Sequence, residues 1–454
     1  MTKTSQPRAI LRCLLALAMV ATTTLPAAAE MTVTMGKSKD IAIKVYGYLE
    51  NDLIIDSTQG YAEQMGSGQV APRRTTAGAY NFAGQRYKTQ MSARSSRLGM
   101  ELTIPEMEGI KSQGQFEIDF RGSSVANANP GSTPAANTEA TFFASAAPRI
   151  RQAFMSFTKG NWNLKAGQTW SLFGWQPYYA QSELVATPAP GGLSSRMPQF
   201  KLTHTMPLPN MQLESAVNVA KPAQMNSATP LFQGGLRLSS TKIKGGTTAG
   251  ASSGMQSLSA GISGDVIQIK TNGAGNPTGV AMAYNVFVPI LASSDGKNRS
   301  NTLSVSGELT HGNGYGFEYS SLTFGLPGVT ATTKAGTAID AGIASSNLDG
   351  NTELIRFRTY NVNLHYVFPN PKFGTGAGYQ QADARNLQSY SMTGISGTST
   401  LTNTMRYGYL SFFYDPLAWV RLGAEYSHVV NNNSDPQNRK AINNRFQFST
   451  YLVF

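Results

Sequence analysis

Nine arginines fall at alternating positions of strand-like stretches: Arg97, Arg121, Arg149, Arg151, Arg237, Arg356, Arg358, Arg421 and Arg445. A guanidinium stays charged at every physiological pH and presents a planar fork that fits a carboxylate. Taken singly, each is equally well read as the partner of a nearby acid, such as Glu101, Glu117, Asp119 or Glu425. As a set the arginines exceed those acids, which suits attraction of anions along a passage. Arg149 and Arg151 share a face if their strand is regular, and a bulge would turn one of them away. Two further candidates, Glu183 and Arg196, belong to the connection Phe173 to Met197. It opens Phe173-Gly174-Trp175-Gln176-Pro177-Tyr178-Tyr179 and is aromatic and Pro-rich. Such a segment folds onto something rather than waving in solvent. If it turns inward, both residues line a constriction; an external or subunit-contact loop is the equal alternative.

Bond-making chemistry finds little support. Gly250-Ala251-Ser252-Ser253-Gly254 matches a nucleophile-elbow pattern, but it lies in a Gly/Ser/Thr-rich linker without the strand and helix that an elbow joins. Gly36-Lys37-Ser38 ends like a phosphate-binding loop, yet Met31 stands where the first glycine is needed. His204, His311, His365 and His428 are far apart and form no metal-ligand pair, so no metal and no cofactor is expected. A Ser/His dyad of the outer-membrane phospholipase kind is open to spacing alone, and an adhesin-like barrel with a blocked lumen is the structural alternative. The expectation is a protein that is not an enzyme.

The elements that must carry these side chains are strands. In Lys111 to Arg121, Phe116, Ile118 and Phe120 alternate with Gln113, Gln115, Glu117 and Asp119. The same period of two recurs at 41–55, 91–104, 149–158, 161–172, 199–206, 211–220, 232–240, 257–266, 279–288, 301–311, 354–367, 372–381, 404–414, 417–430 and 442–454, which makes sixteen strands in all. The boundaries between 220 and 300 are the least defined. Short connections rich in turn residues (Pro105 to Gly109, Lys159-Gly160-Asn161, Pro207 to Asn210, Pro369-Asn370-Pro371, Asp415-Pro416) alternate with long polar ones. An even number of strands, one apolar face and alternating loop lengths predict an all-β, transmembrane antiparallel barrel. A Lys or Arg facing lipid at mid-bilayer costs roughly 2–4 kcal/mol, so the charges belong to the lumen. Nothing downstream approaches the ~18 consecutive apolar residues of a helical span.

The ends agree. Lys3, Arg8 and Arg12, the apolar run Cys13 to Val20, and Ala27-Ala28-Ala29 read as a secretory signal peptide over 1–29. A short segment, 30–40, precedes a single barrel domain, 41–454. The one cysteine lies in the signal, so a mature chain has no thiol chemistry. The chain ends on Phe454 at the close of an alternating strand, as an outer-membrane assembly signal does. The 37 basic and 25 acidic residues leave a net +12, which falls to +9 without Lys3, Arg8 and Arg12. For an exported chain with no nucleic-acid-binding motif, that excess points to anionic solutes or lipid and not to nucleic acid.

Ser96-Arg97-Leu98-Gly99, Glu117-Ile118-Asp119-Phe120, Arg149 to Phe154, Ala166-Gly167-Gln168-Thr169-Trp170-Ser171 and Met197-Pro198-Gln199-Phe200 occur in the order seen in DcaP-like outer-membrane porins. The specific resemblance covers roughly 90–220. It implies a sixteen-stranded, homotrimeric channel with an inward third loop, taking small anionic solutes (dicarboxylates, aromatic acids, inorganic anions) and having outer-membrane lipid and the assembly machinery as partners. Some relatives carry an N-terminal coiled coil; the stretch Glu30 to Asp40 is too short for heptads.

Overall fold

The computed structural model describes residues 32–34, 41–58, 87–122, 147–179, 192–222, 227–246, 255–269, 276–319, 345–346, 352–386, 402–433 and 440–454. Sixteen barrel strands follow in order: β1 (Ala42–Asp56), β2 in two parts (Lys88–Ser92 and Arg97–Met107), β3 (Ile110–Gly122), β4 (Ala147–Lys159), β5 (Trp162–Trp170), β6 (Arg196–Leu208), β7 (Met211–Ala220), β8 (Leu231–Lys244), β9 (Ser257–Gln268), β10 (Thr278–Leu291), β11 (Thr302–Asn313), β12 (Arg356–Val367), β13 (Phe373–Ala384), β14 (Thr402–Leu417), β15 (Val420–Asn433) and β16 (Lys440–Val453). Each pairs antiparallel with the next, and β1 pairs with β16, so the sheet closes. At that seam Tyr48 stands opposite Val453 and Asp56 opposite Arg445. Phe454 completes it: its amide donates to the Gly47 carbonyl at 3.1 Å and its carbonyl accepts from the Gly47 amide at 2.9 Å. Closure gives each of the sixteen strands a neighbour on both sides, which an open sheet would deny its two edges.

All sixteen expected strands are present, including those between 220 and 300. The differences are local. The turn after β14 is Ala418-Trp419 and not Asp415-Pro416. The ladder slips between Tyr414 and Leu417, where Pro416 has no N–H to give, so the strand runs through it. Pro105 is tolerated in the same way inside β2, at the slip between Ile104 and Met107. Ala93 to Ser96 leave the ladder in mid-β2 and are held from inside. The Glu50 amide donates to Ser96 Oγ at 2.9 Å, and Arg94 donates to the Phe120 and Gly122 carbonyls at 3.0 and 3.1 Å. Of the 30–40 segment, Thr32–Thr34 pairs with Ala42 to Lys44 of β1.

The faces separate as the alternation requires. Leu49, Phe200, Val217, Phe232, Val362 and Leu410 are exposed on the outer surface. Glu50, Asp52, Asp56, Glu117 and Asp119 are buried on the inner one. On β8 to β14 the inner face also carries apolar residues, among them Leu231, Ile267, Ala281, Ala283, Phe357, Ala382 and Met405. They are covered by Phe173, Leu193, Tyr315, Phe317 and Tyr319, from the described ends of the connections after β5 and β11. This is one of several internal apolar clusters among the described residues.

Candidate constriction and charged lumen wall

The described ends of the third long connection, 171–179 and 192–195, fold inward, the first of them against β8, β9 and β10. Ser171 Oγ donates to Glu318 Oε1 at 3.0 Å, and the Leu172 amide to Gln233 Oε1 at 3.2 Å. The Gly174 amide donates to Ser263 Oγ at 2.7 Å, and the Trp175 indole to the Ile262 carbonyl at 3.2 Å. Gly174 has φ 71°, a left-handed conformation that favours glycine, and packs on Leu193, so a side chain there is strained. At the far end of the connection the Leu193 amide donates to Glu308 Oε1 at 3.1 Å, and Ser195 Oγ to Glu318 Oε2. Glu318 also accepts from Gln233 at 2.8 Å and Gln176 at 3.2 Å; Glu308 also accepts from Asn285 and Asn361 at 2.8 and 3.0 Å. Burial drives the Glu318 carboxyl up to about 7, against the opposing pull of these donors. Sequence reasoning missed both acids. Glu308 lies among the inward polar residues of β11, but its partners sit on other strands and on a distant loop.

The opposite wall, β2 to β6, is dense in charge. Arg97, Asp119 and Arg149 are register partners on three adjacent strands. Arg149 makes a two-point contact with Asp119 at 2.9 and 2.6 Å. Arg151 donates to Glu117 at 2.6 Å and to Asp119 at 2.9 Å. The ladder does slip there, with Glu117 opposite Gln152 and Ile118 opposite Ile150. The extra residue at the bulge is Arg151, and it still reaches Asp119, the inward carboxylate that Arg149 holds, as well as Glu117. Arg97 lies 3.7 Å from Glu117 and 5.1 Å above the Tyr48 ring. Arg121 is hydrogen-bonded through Nη2 to Ser95 Oγ.

The remaining candidates are spread more widely. Arg196 is the first residue of β6 and not a loop residue; it lies 4.8 Å from the Trp170 ring centroid and has no carboxylate partner among the described residues. Arg237 pairs with Glu214 and is capped by the inward loop, 3.9 Å from the Tyr178 ring. Arg421 holds Asp415, together with Arg299, at the short-turn end of the barrel. Arg445 is buried against Asp56 across the seam, at 2.9 Å for each of two contacts. Arg356 and Arg358 do not fit an inward assignment. They alternate with the buried Phe357 and Thr359 and share the outer face with Val362 and Leu364, where Arg358 lies 3.7 Å from Asp383. Glu183 and the Gly250 to Gly254 motif lie outside the described residues.

The four histidines sit on four different strands. His204 is against Trp162, His311 against Tyr284, His365 against Phe413, and His428 bonds Asn444. Among the described residues no group of His, Cys, Asp or Glu is arranged to hold a metal.

No protein-family model matches the chain, and no curated protein matches it. Solved structures do. The outer membrane channel DcaP of Acinetobacter baumannii aligns with a TM-score of 0.61 at 17% identity, over 93% of this chain and 100% of that one. The anion-selective porin from Comamonas acidovorans gives a TM-score of 0.50 at 10% identity, over 91% of this chain and 100% of that one. At such identities the likeness is one of architecture, and the resemblance seen in the sequence holds at that level: the chain has the closed-barrel porin fold of the DcaP channel.

Proposed function

We propose that the chain is an outer-membrane porin of a Gram-negative bacterium, a water-filled passive diffusion channel that prefers small anions. Inorganic anions, dicarboxylates and aromatic acids are the solute class. The observation that carries this reading is the division of the lumen: cations concentrate on β2 to β6, while the inward loop is pinned to β8, β9 and β10 on the other side. A solute is thereby directed along the basic wall. Sixteen strands is the size at which a barrel leaves an aqueous passage. The charged inner face fits water, and the apolar outer face fits hydrocarbon. Residues 1–29 act as a cleaved signal peptide, 41–454 form the inserted barrel, Phe454 serves the assembly machinery, and the barrels associate as homotrimers. The test is reversal potential in a potassium chloride gradient across a planar bilayer. Chloride permeating faster than potassium supports the reading. A purified barrel that conducts nothing, or one that hydrolyses lipid, overturns it. Crosslinking of unboiled protein that yields only monomer overturns the trimer.

A further inference from the structure

Most arginines in this lumen already hold carboxylates. Arg149 and Arg151 share Asp119, Arg151 also holds Glu117, and Arg237 holds Glu214. A paired guanidinium offers a passing solute little net charge. Lys165 of β5 and Lys201 of β6 are different. They are register partners, directly opposite each other across the β5–β6 ladder. The alternation turns both inward: Lys165 also pairs with the buried Ser156, and Lys201 with the buried Asn218. Directly opposed residues have Cβ atoms about 5 Å apart, and like charges in that position repel. Among the described residues the acid that acts on Lys201, Glu214 of β7, is itself held by Arg237. The Lys201 ammonium donates to the Trp170 carbonyl at 3.2 Å, and the Lys165 ammonium lies 5.0 Å from the Phe154 ring centroid. Neither has a carboxylate partner there. Both side chains remain partly accessible.

We propose that Lys165 and Lys201 form a two-ammonium station that binds a compact, doubly charged oxyanion, a phosphate or sulfate group, as it passes the basic wall. An ammonium is a point charge with donors on several sides, so two of them can grip a tetrahedral oxyanion without the planar match a guanidinium demands. The dianion cancels the repulsion that the empty pair carries. The proposal rests on the channel reading and adds the place and the charge class of the bound ion.

The probe is inorganic phosphate at about pH 7.5, where most of it is doubly charged. In bilayers bathed in potassium chloride, phosphate blocks the chloride current of the wild type. Lys165→Gln with Lys201→Gln raises the half-blocking concentration about tenfold or more, each single substitution gives a smaller rise, and Lys165→Arg with Lys201→Arg keeps the block. A conducting wild type that phosphate does not block, or a folded, heat-modifiable double variant blocked like wild type, overturns the station and leaves the channel standing. A wild type without chloride conductance overturns the channel reading instead. Calorimetric titration of phosphate into detergent-solubilised protein then judges the station separately: binding lost in the double Gln variant upholds it, and equal binding overturns it.

Discussion

Arg445 is buried together with Asp56, and Asp56 also accepts from Asn443 at 2.7 Å. Removing one member of a buried pair leaves the other charge desolvated and alone, at a cost of about 3–5 kcal/mol. Arg445→Met is therefore expected to lower the temperature at which the barrel loses its compact gel mobility, while Arg299→Met, at the partly exposed Asp415 pair, costs about 1 kcal/mol or less. Equal shifts for the two substitutions count against this ranking. Arg149 and Arg151 act differently, because what they hold is inward acid. Arg149→Ala with Arg151→Ala unmasks Glu117 and Asp119, so the change in wall charge is that of two lost cations beside two freed anions. Anion preference then falls and becomes less sensitive to salt, since fixed charge acts through a screened field. An unchanged chloride-over-potassium ratio at low salt places this cluster away from the solute path.

The strands were legible because one face must be apolar and the other wet, and that constraint writes a period of two from Ala42 to Val453. Parity also held the answer for Arg356 and Arg358. Val362 and Leu364 fix the outer face of β12, and counting back by twos carries both arginines to it. Side-chain type alone misled there, because a charged residue near a strand end faces outward at little cost above the hydrocarbon. The inward packing of the third loop was only half legible. Its aromatic and Pro-rich composition announces a folded segment, but its partners, Gln233, Ser263, Glu308 and Glu318, are scattered over three strands and another loop. Glu318 makes that docking depend on pH. Its carboxyl is raised from 4.5 to about 7, so the docked loop holds its proton more tightly than the free loop does. The stabilisation is complete below the ordinary glutamate range and is lost as pH rises through about 7. Exchange at the Leu172 and Gly174 amides, corrected for the intrinsic chemical rate, is expected to be faster at about pH 8.5 than at about pH 5.5. Glu318→Gln flattens that dependence. Protection that does not vary with pH in the unsubstituted chain refutes the titration.

For the molecule as a whole, the decisive contact is the one between its first and last strands. Neighbouring strands are joined by turns or by longer polar connections, but each encloses far less chain than the seam, which joins Tyr48 to Val453. Loop-closure entropy grows with the length enclosed, so this pairing is the costliest to make and is expected to form last. It is also concentrated: Gly47 and Phe454 exchange both backbone bonds, and at the other end Arg445 meets Asp56. Losing Phe454 removes those two bonds together with an outward aromatic at the chain end. Deletion of Phe454 is accordingly expected to slow closure and lower the yield of heat-modifiable barrel, while a hairpin substitution such as Asn210→Ala, at a turn with φ 62°, reduces stability without the same delay. The comparison is made on purified chains refolding into detergent or vesicles, with no assembly machinery present. A normal closure rate for the deleted chain there, combined with poor assembly in cells, would assign the terminal phenylalanine to recognition by the machinery alone. Slow closure in both settings makes the terminal phenylalanine part of the clasp itself.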